Sequence, residues 1–128
     1  MKTILVDSVN CIVSEEGMIF KEMQNLLDSY SNKKIILTGA LYEKFQMYSL
    51  DKMPYEVFTQ QHNPEKTDPK YFNALFEKFN LSKNDVVYFE HNMEAVKIAE
   101  AVGIKSYYYD ENKKDLGSLK NFLDENLK

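Results

Sequence analysis

Residues 86–104 read Val-Val-Tyr-Phe-Glu-His-Asn-Met-Glu-Ala-Val-Lys-Ile-Ala-Glu-Ala-Val-Gly-Ile, and the spacing of the apolar positions changes partway through the stretch. Val86 to Phe89 is an unbroken apolar run of strand length. Asn92 is a helix-capping residue type, and behind it Ala95, Ile98, Ala99 and Val102 recur at helical spacing until Gly103 stops the helix. Ile104 to Tyr109 is strand-like again. Strand, helix and strand in succession predict parallel strands covered by helices on both faces.

The same alternation runs outward to both ends of the chain. Lys2 to Val6 is a short apolar run ending at Asp7, and Met23, Leu27 and Tyr30 predict a helix from about Gly17 to Tyr30. Lys34 to Thr38 is a second strand closed by Gly39, Tyr42 to Met47 a short helix, and Tyr55 to Thr59 a weaker strand. His62 to Asp68 is polar, contains Pro64 and reads as a loop. Asp68 caps a helix with Pro69 in its first turn and Phe72, Leu75, Phe76 and Phe79 on one face, and Asn80 suits its end. Leu116, Leu119 and Leu123 mark a last helix. The expected architecture is one α/β, Rossmann-like domain over residues 1–128, a three-layer α/β/α arrangement around a five-stranded parallel sheet. Ligands of such sheets bind beyond the carboxyl ends of the strands, near the switch in strand order. That directs attention to Asp7–Cys11, Thr38–Ala40, Gln60–Lys66, Glu90–Asn92 and Asp110.

Composition narrows the function classes. A chain of 128 residues, 44% hydrophobic and 28% charged, suits one globular domain. Its mean hydropathy of -0.49 and the lack of a long apolar run leave no room for a transmembrane helix. No basic segment followed by a long apolar one precedes the first strand, so no signal peptide is expected. Cys11 is the single cysteine and makes no internal disulfide, which favours a reducing, cytoplasmic location. With a net charge of -4 and scattered lysines, bulk electrostatic binding of nucleic acid is not expected. An acidic protein that handles phosphate needs local positive charge from a metal, a lysine or a helix N-terminus.

Four segments in order resemble the haloacid dehalogenase (HAD) superfamily. ILVDSVNCIV resembles its first motif, with Asp7 at the nucleophile position. KIILTGA resembles the second, with Thr38 at the phosphate-binding hydroxyl position and Gly39 beside it. EKTDPKYFNALFEKFNL resembles the third, with Lys66 at the conserved-type lysine, and residues 86–104 resemble the fourth, where an acidic pair precedes a helix. The resemblance implies phosphoryl transfer to Asp7, in which an anion meets a dianion and the repulsion must be cancelled locally. It implies Mg²⁺ held by Asp7, the backbone carbonyl of Val9 and Glu90, with Lys66 neutralising nucleophile and phosphate, and Thr38 and Gly39 orienting the phosphate.

Several residues depart from that pattern. The family's phosphatases carry a second Asp, the general acid and base, two residues after the nucleophile; this chain has Val9 there, which faces the site and cannot carry a proton. Cys11 replaces the usual Thr, and the acidic pair reads Glu90-His91. Histidine is a poor Mg²⁺ ligand, though His91 is a candidate replacement proton shuttle. Family branches lacking the second Asp place a cap domain over the site, but neither residues 8–16 nor Gln60–Glu65 leave room for one. Two functions follow: a weak Mg²⁺-dependent phosphohydrolase acting through an aspartyl-phosphate on Asp7, or a catalytically impaired domain that binds a phosphorylated ligand or protein partner. The open site suits a small phosphorylated molecule, a phosphoprotein, or closure by a second subunit of a homodimer. Tyr107, Tyr108 and Tyr109 are expected to alternate between the sheet's faces, and Met18, Met23, Met47 and Met53 to fill the core.

Overall fold

The computed structural model describes residues 1–128, and all five expected strands form. β1 (Thr3–Asp7), β2 (Lys34–Thr38), β3 (Glu56–Thr59), β4 (Val86–Glu90) and β5 (Lys105–Tyr108) make one parallel sheet in the order β3-β2-β1-β4-β5. Helices α1 (Lys21–Asp28), α2 (Pro69–Phe79), α3 (Met93–Ala101) and α4 (Leu116–Asn126) connect and follow the strands.

Side chains alternate across a strand, so β1 divides its apolar residues between two cores. Ile4 and Val6 pack with Met23 and Leu27 of α1 and with Leu119 and Leu123 of α4. Leu5 packs on the opposite face with Tyr71, Phe72 and Leu75 of α2 and Ala99 of α3. Every residue of β1 and of β4 is buried, which is why both strands read as near-continuous apolar runs. The layers are therefore α/β/α.

Caps give the helices their expected ends. The Asp68 side chain accepts the Lys70 backbone N–H at 2.9 Å, Pro69 opens α2, and Asn80 closes it in the left-handed conformation with φ 53°. The Asn92 side chain likewise accepts the Glu94 N–H at 3.0 Å to start α3.

The strand order fixes where a ligand can sit. β2 and β3 lie to one side of β1 and β4 and β5 to the other, so the order reverses between β1 and β4. The pairing of Val6 with Phe89 brings the next residues, Asp7 and Glu90, to the rim of that crevice. Residues 8–20 and 60–68, where a cap would be inserted, are connecting loops, and no cap domain is present.

Three expectations are corrected. The first helix starts at Lys21, not Gly17, because Gly17 takes a positive φ of 82° and residues 14–19 fold back, with Ser14 N–H on Met18 O at 2.8 Å. The segment Tyr42–Met47 forms only a 3₁₀ turn at Tyr42–Lys44, followed by a second at Leu50–Lys52. Met18 and Met47 lie on these irregular stretches and are 71% and 49% exposed rather than in the core, whereas Met23 is fully buried. Alternation at the fifth strand resolves with Tyr109 buried, Tyr107 against Phe122 and Tyr108 outward. No helix is long and apolar enough to cross a membrane.

Candidate functional site

Seven polar or charged residues are buried, and five of them (Asp7, Ser8, Thr38, Thr59 and Glu90) lie at or directly after the carboxyl end of a strand. Burying a polar group is costly unless it is hydrogen-bonded. One rim of the sheet therefore carries most of the fold's buried polarity, and an open cleft of about 620 Å³ lies along it.

At the centre stand two carboxylates and two bases. Lys66 Nζ donates to Asp7 Oδ1 at 2.5 Å and to Glu90 Oε1 at 2.8 Å. His91 Nδ1 bonds Asp7 Oδ2 and lies 3.2 Å from Glu90 Oε2. Asp7 Oδ2 also accepts the His91 backbone N–H and the Cys11 S–H, each at 3.2 Å. Glu90 Oε1 further accepts the Tyr88 hydroxyl, and Glu90 Oε2 the Asn92 N–H at 3.1 Å. Every carboxylate oxygen of the pair is engaged by a donor from the protein itself.

Local chain paths explain the arrangement. The Ser8 carbonyl accepts the N–H groups of Cys11, Ile12 and Val13, so residues 8–13 curl back and carry the Cys11 thiol to Asp7. Lys66 leaves the loop two residues before the cap of α2, and His91 is held between β4 and the cap of α3.

The electrostatics follow from burial and pairing. Burial alone raises the Asp7 carboxyl, but Lys66 and His91 outweigh it and hold Asp7 well below the usual carboxylate range. Glu90 moves upward, first through burial and then through the Asp7 charge, against the pull of Lys66. Burial disfavours the Lys66 ammonium, yet Asp7 and Glu90 keep it firmly charged. Hydrogen bonds to Asp7 and then Glu90 push His91 from 6.5 up to about 10, so the ring is an imidazolium at neutral pH. Burial, and next the Asp7 charge, drive the Cys11 thiol up, which keeps it a donor.

Beside this cluster lie the residues that the sequence marks as candidates for holding a phosphate. Thr38 and Gly39 line the cleft with Asp7, Val9, Lys66 and His91. The Thr38 hydroxyl oxygen accepts the Ala40 N–H at 3.1 Å, which leaves its own proton for a ligand. Tyr71 donates from below to the Thr38 carbonyl at 2.8 Å, fixing the end of β2. A Cβ at Gly39 would lie 3.2 Å from both His62 Nδ1 and Glu65 Oε2, so glycine permits the close approach of the 60–68 loop.

All the candidate residues read from the sequence, Asp7, Val9, Thr38, Gly39, Lys66, Glu90 and His91, thus converge on one site. Five further participants, Tyr88, Tyr71, His62, Glu65 and Cys11, had no site role assigned from the sequence. Tyr88 lies two residues before Glu90 on the same face of β4, a period-two signal that was readable. Tyr71, the exposed pair of His62 and Glu65 bonded at 2.7 Å, and the Cys11 contact depend on loop and helix placement that spacing does not encode. Cys11 meets Asp7 and His91, with donor atoms of the three within 4.8 Å of one another.

No protein-family model matches the chain, and no curated protein resembles it in sequence. Solved structures do match its fold. A HAD family enzyme from Bacteroides thetaiotaomicron, an aspartate-to-alanine mutant in complex with magnesium and inorganic phosphate, superposes with a TM-score of 0.74 at 10% identity, covering 93% of this chain and 98% of that one. An uncharacterized protein from Corynebacterium glutamicum gives 0.69 at 17% identity, covering 97% and 96%. The core domain of a predicted phosphoglycolate phosphatase from Streptococcus pneumoniae gives 0.63 at 18% identity, covering 96% and 95%. The chain has the HAD-like fold.

The side chains as arranged do not fit Mg²⁺. That ion needs oxygens at about 2.0–2.1 Å in near-octahedral geometry. Here the Asp7 and Glu90 oxygens already accept from Lys66, His91, Tyr88, Cys11 and backbone N–H groups, and two cationic side chains border the gap.

Proposed function

We propose that the cleft binds the phosphoryl group of a small phosphorylated molecule or a phosphoprotein, with Asp7 anchoring Lys66 and His91 rather than attacking phosphorus. The state of Asp7 carries this reading: its carboxylate accepts four hydrogen bonds, two of them from cationic side chains. A carboxylate held that far below its ordinary basicity is a poor nucleophile. Val9 lines the cleft and has no proton to give a leaving group or take from water. Recognition needs less: the Thr38 hydroxyl, Lys66 and, nearer the mouth, Lys44 and His62 line the same cleft and suit an oxyanion. A neighbour of the same fold is in complex with inorganic phosphate and magnesium, which supports a phosphate group as the ligand.

Inorganic phosphate is expected to raise the melting temperature of the native chain by mass action, and less so with Thr38→Val. An aryl phosphate is expected to be hydrolysed no faster than by Asp7→Asn. Turnover by the native chain above both Asp7→Asn and a mock preparation overturns the binding reading.

That outcome would favour the second reading, a weak phosphohydrolase working through an aspartyl-phosphate. Its support is the contact of His91 with Asp7, which puts a titratable ring beside the nucleophile position. An Asp7 oxygen would bond phosphorus as the P–O bond to the alcohol breaks, and the His91 ring would protonate the leaving oxygen. Water, giving its proton back to that ring, would then split the aspartyl-phosphate to release phosphate. In that reading Val9→Asp raises the rate by restoring an acid at the vacant position.

A further inference from the structure

We infer that the His91 side chain fills the place between Asp7 and Glu90 that a divalent cation would take, so that this chain binds a phosphate-type oxyanion without a metal. The ligand in this statement rests on the phosphoryl-binding reading; the substitution of ring for ion does not.

The geometry supports it from three sides. His91 Nδ1 bonds Asp7 Oδ2 and lies 3.2 Å from Glu90 Oε2, so a single ring nitrogen spans the two carboxylates from adjacent strands β1 and β4. The main chain holds the ring there, since the His91 N–H sits on Asp7 at 3.2 Å and the following Asn92 N–H on Glu90 at 3.1 Å. An entering ion would have to displace the ring from both carboxylates and then stand beside Lys66, already 2.5 Å from Asp7 and 2.8 Å from Glu90. All four oxygens of Asp7 and Glu90 are already engaged by side-chain or backbone groups of the chain, so none is left open toward an ion.

The ring can also do part of what the ion would do for a ligand. Its contacts within the chain all run through Nδ1, and His91 lines the cleft beside Thr38 and Lys66 with a quarter of its side chain exposed. Its Nε2 edge is therefore left toward the cleft for a ligand oxygen, in a fixed orientation set by the opposite nitrogen.

The test compares native chain with H91D in thermal melts and calorimetric titrations, using magnesium chloride alone, sodium phosphate in excess EDTA, and both together. Phosphate is expected to shift the native melting temperature equally with and without magnesium. Magnesium alone is expected to leave the native chain unmoved and to bind H91D at least about tenfold more tightly. H91A, which frees the same oxygens, takes its place if H91D does not fold and should change in the same direction. Magnesium stabilising the native chain, phosphate shifting it only when magnesium is present, or neither variant gaining a magnesium response overturns the inference. If phosphate moves nothing in either medium while magnesium separates native chain from variant, the phosphoryl-binding reading fails and the ring-for-ion substitution stands.

Discussion

Lys66→Met would leave Asp7 and Glu90, 1% and 0% exposed, facing each other with one base between them. Removing one partner from a buried ion pair costs about 3–5 kcal/mol, so the midpoint of denaturant unfolding should fall accordingly. His91 gives a prediction with a pH signature. Its pKa rises from 6.5 to about 10 on folding, so its contribution is complete below 6.5 and fades as pH climbs through about 10. The native chain should therefore melt above His91→Gln at neutral pH, and the gap should close between those limits. Asp7, Thr38 and Glu90 were legible because each ends a strand whose apolar run announces it, and Lys66 because it stands two residues before the Asp68-Pro69 helix start. The bond from His91 to Asp7 was not, since it depends on backbone angles at the start of α3.

Among the elements, α1 shows where periodicity misleads. Ile19 and Phe20 continue the helical spacing of Met23 and Leu27, yet the helix begins only at Lys21. Spacing records which side chains face the core and says nothing of the turn that delivers them there. Gly17 makes that turn, and a Cβ on it would stand 2.1 Å from the Met47 carbonyl oxygen. Gly17→Ala should destabilise the chain by about 1 kcal/mol or more, measured as a lower melting temperature by circular dichroism. By contrast, β4, α3 and β5 fell within a residue or two of their expected bounds. The fully buried residues of β4 and the strong caps at Asn92 and Gly103, the latter fixing the end of α3 and so the start of β5, leave these segments little choice.

Over the whole molecule, tyrosines set the alkaline limit. Tyr30, Tyr55, Tyr71, Tyr88, Tyr107 and Tyr109 all have raised pKa values, burial being the leading cause in each. The folded chain then holds protons that the unfolded chain releases above about 10, so stability falls as pH rises past that point. Because the chain has nine tyrosines and no tryptophan, tyrosine ultraviolet absorbance should report ionisation and unfolding together.

The loops at 8–20 and 60–68 carry no cap, and that has a kinetic meaning. Where a lid must open and shut, its microsecond-to-millisecond motion limits how quickly ligand enters and leaves. This cleft has no such step, so capture should proceed at the roughly 10⁵–10⁷ M⁻¹s⁻¹ of one rigid patch finding another. Residence time then depends on how much surface the bound molecule itself brings over the mouth. A bare phosphate should come and go quickly, while a phosphoprotein or a second copy of the chain that shields the rim should stay.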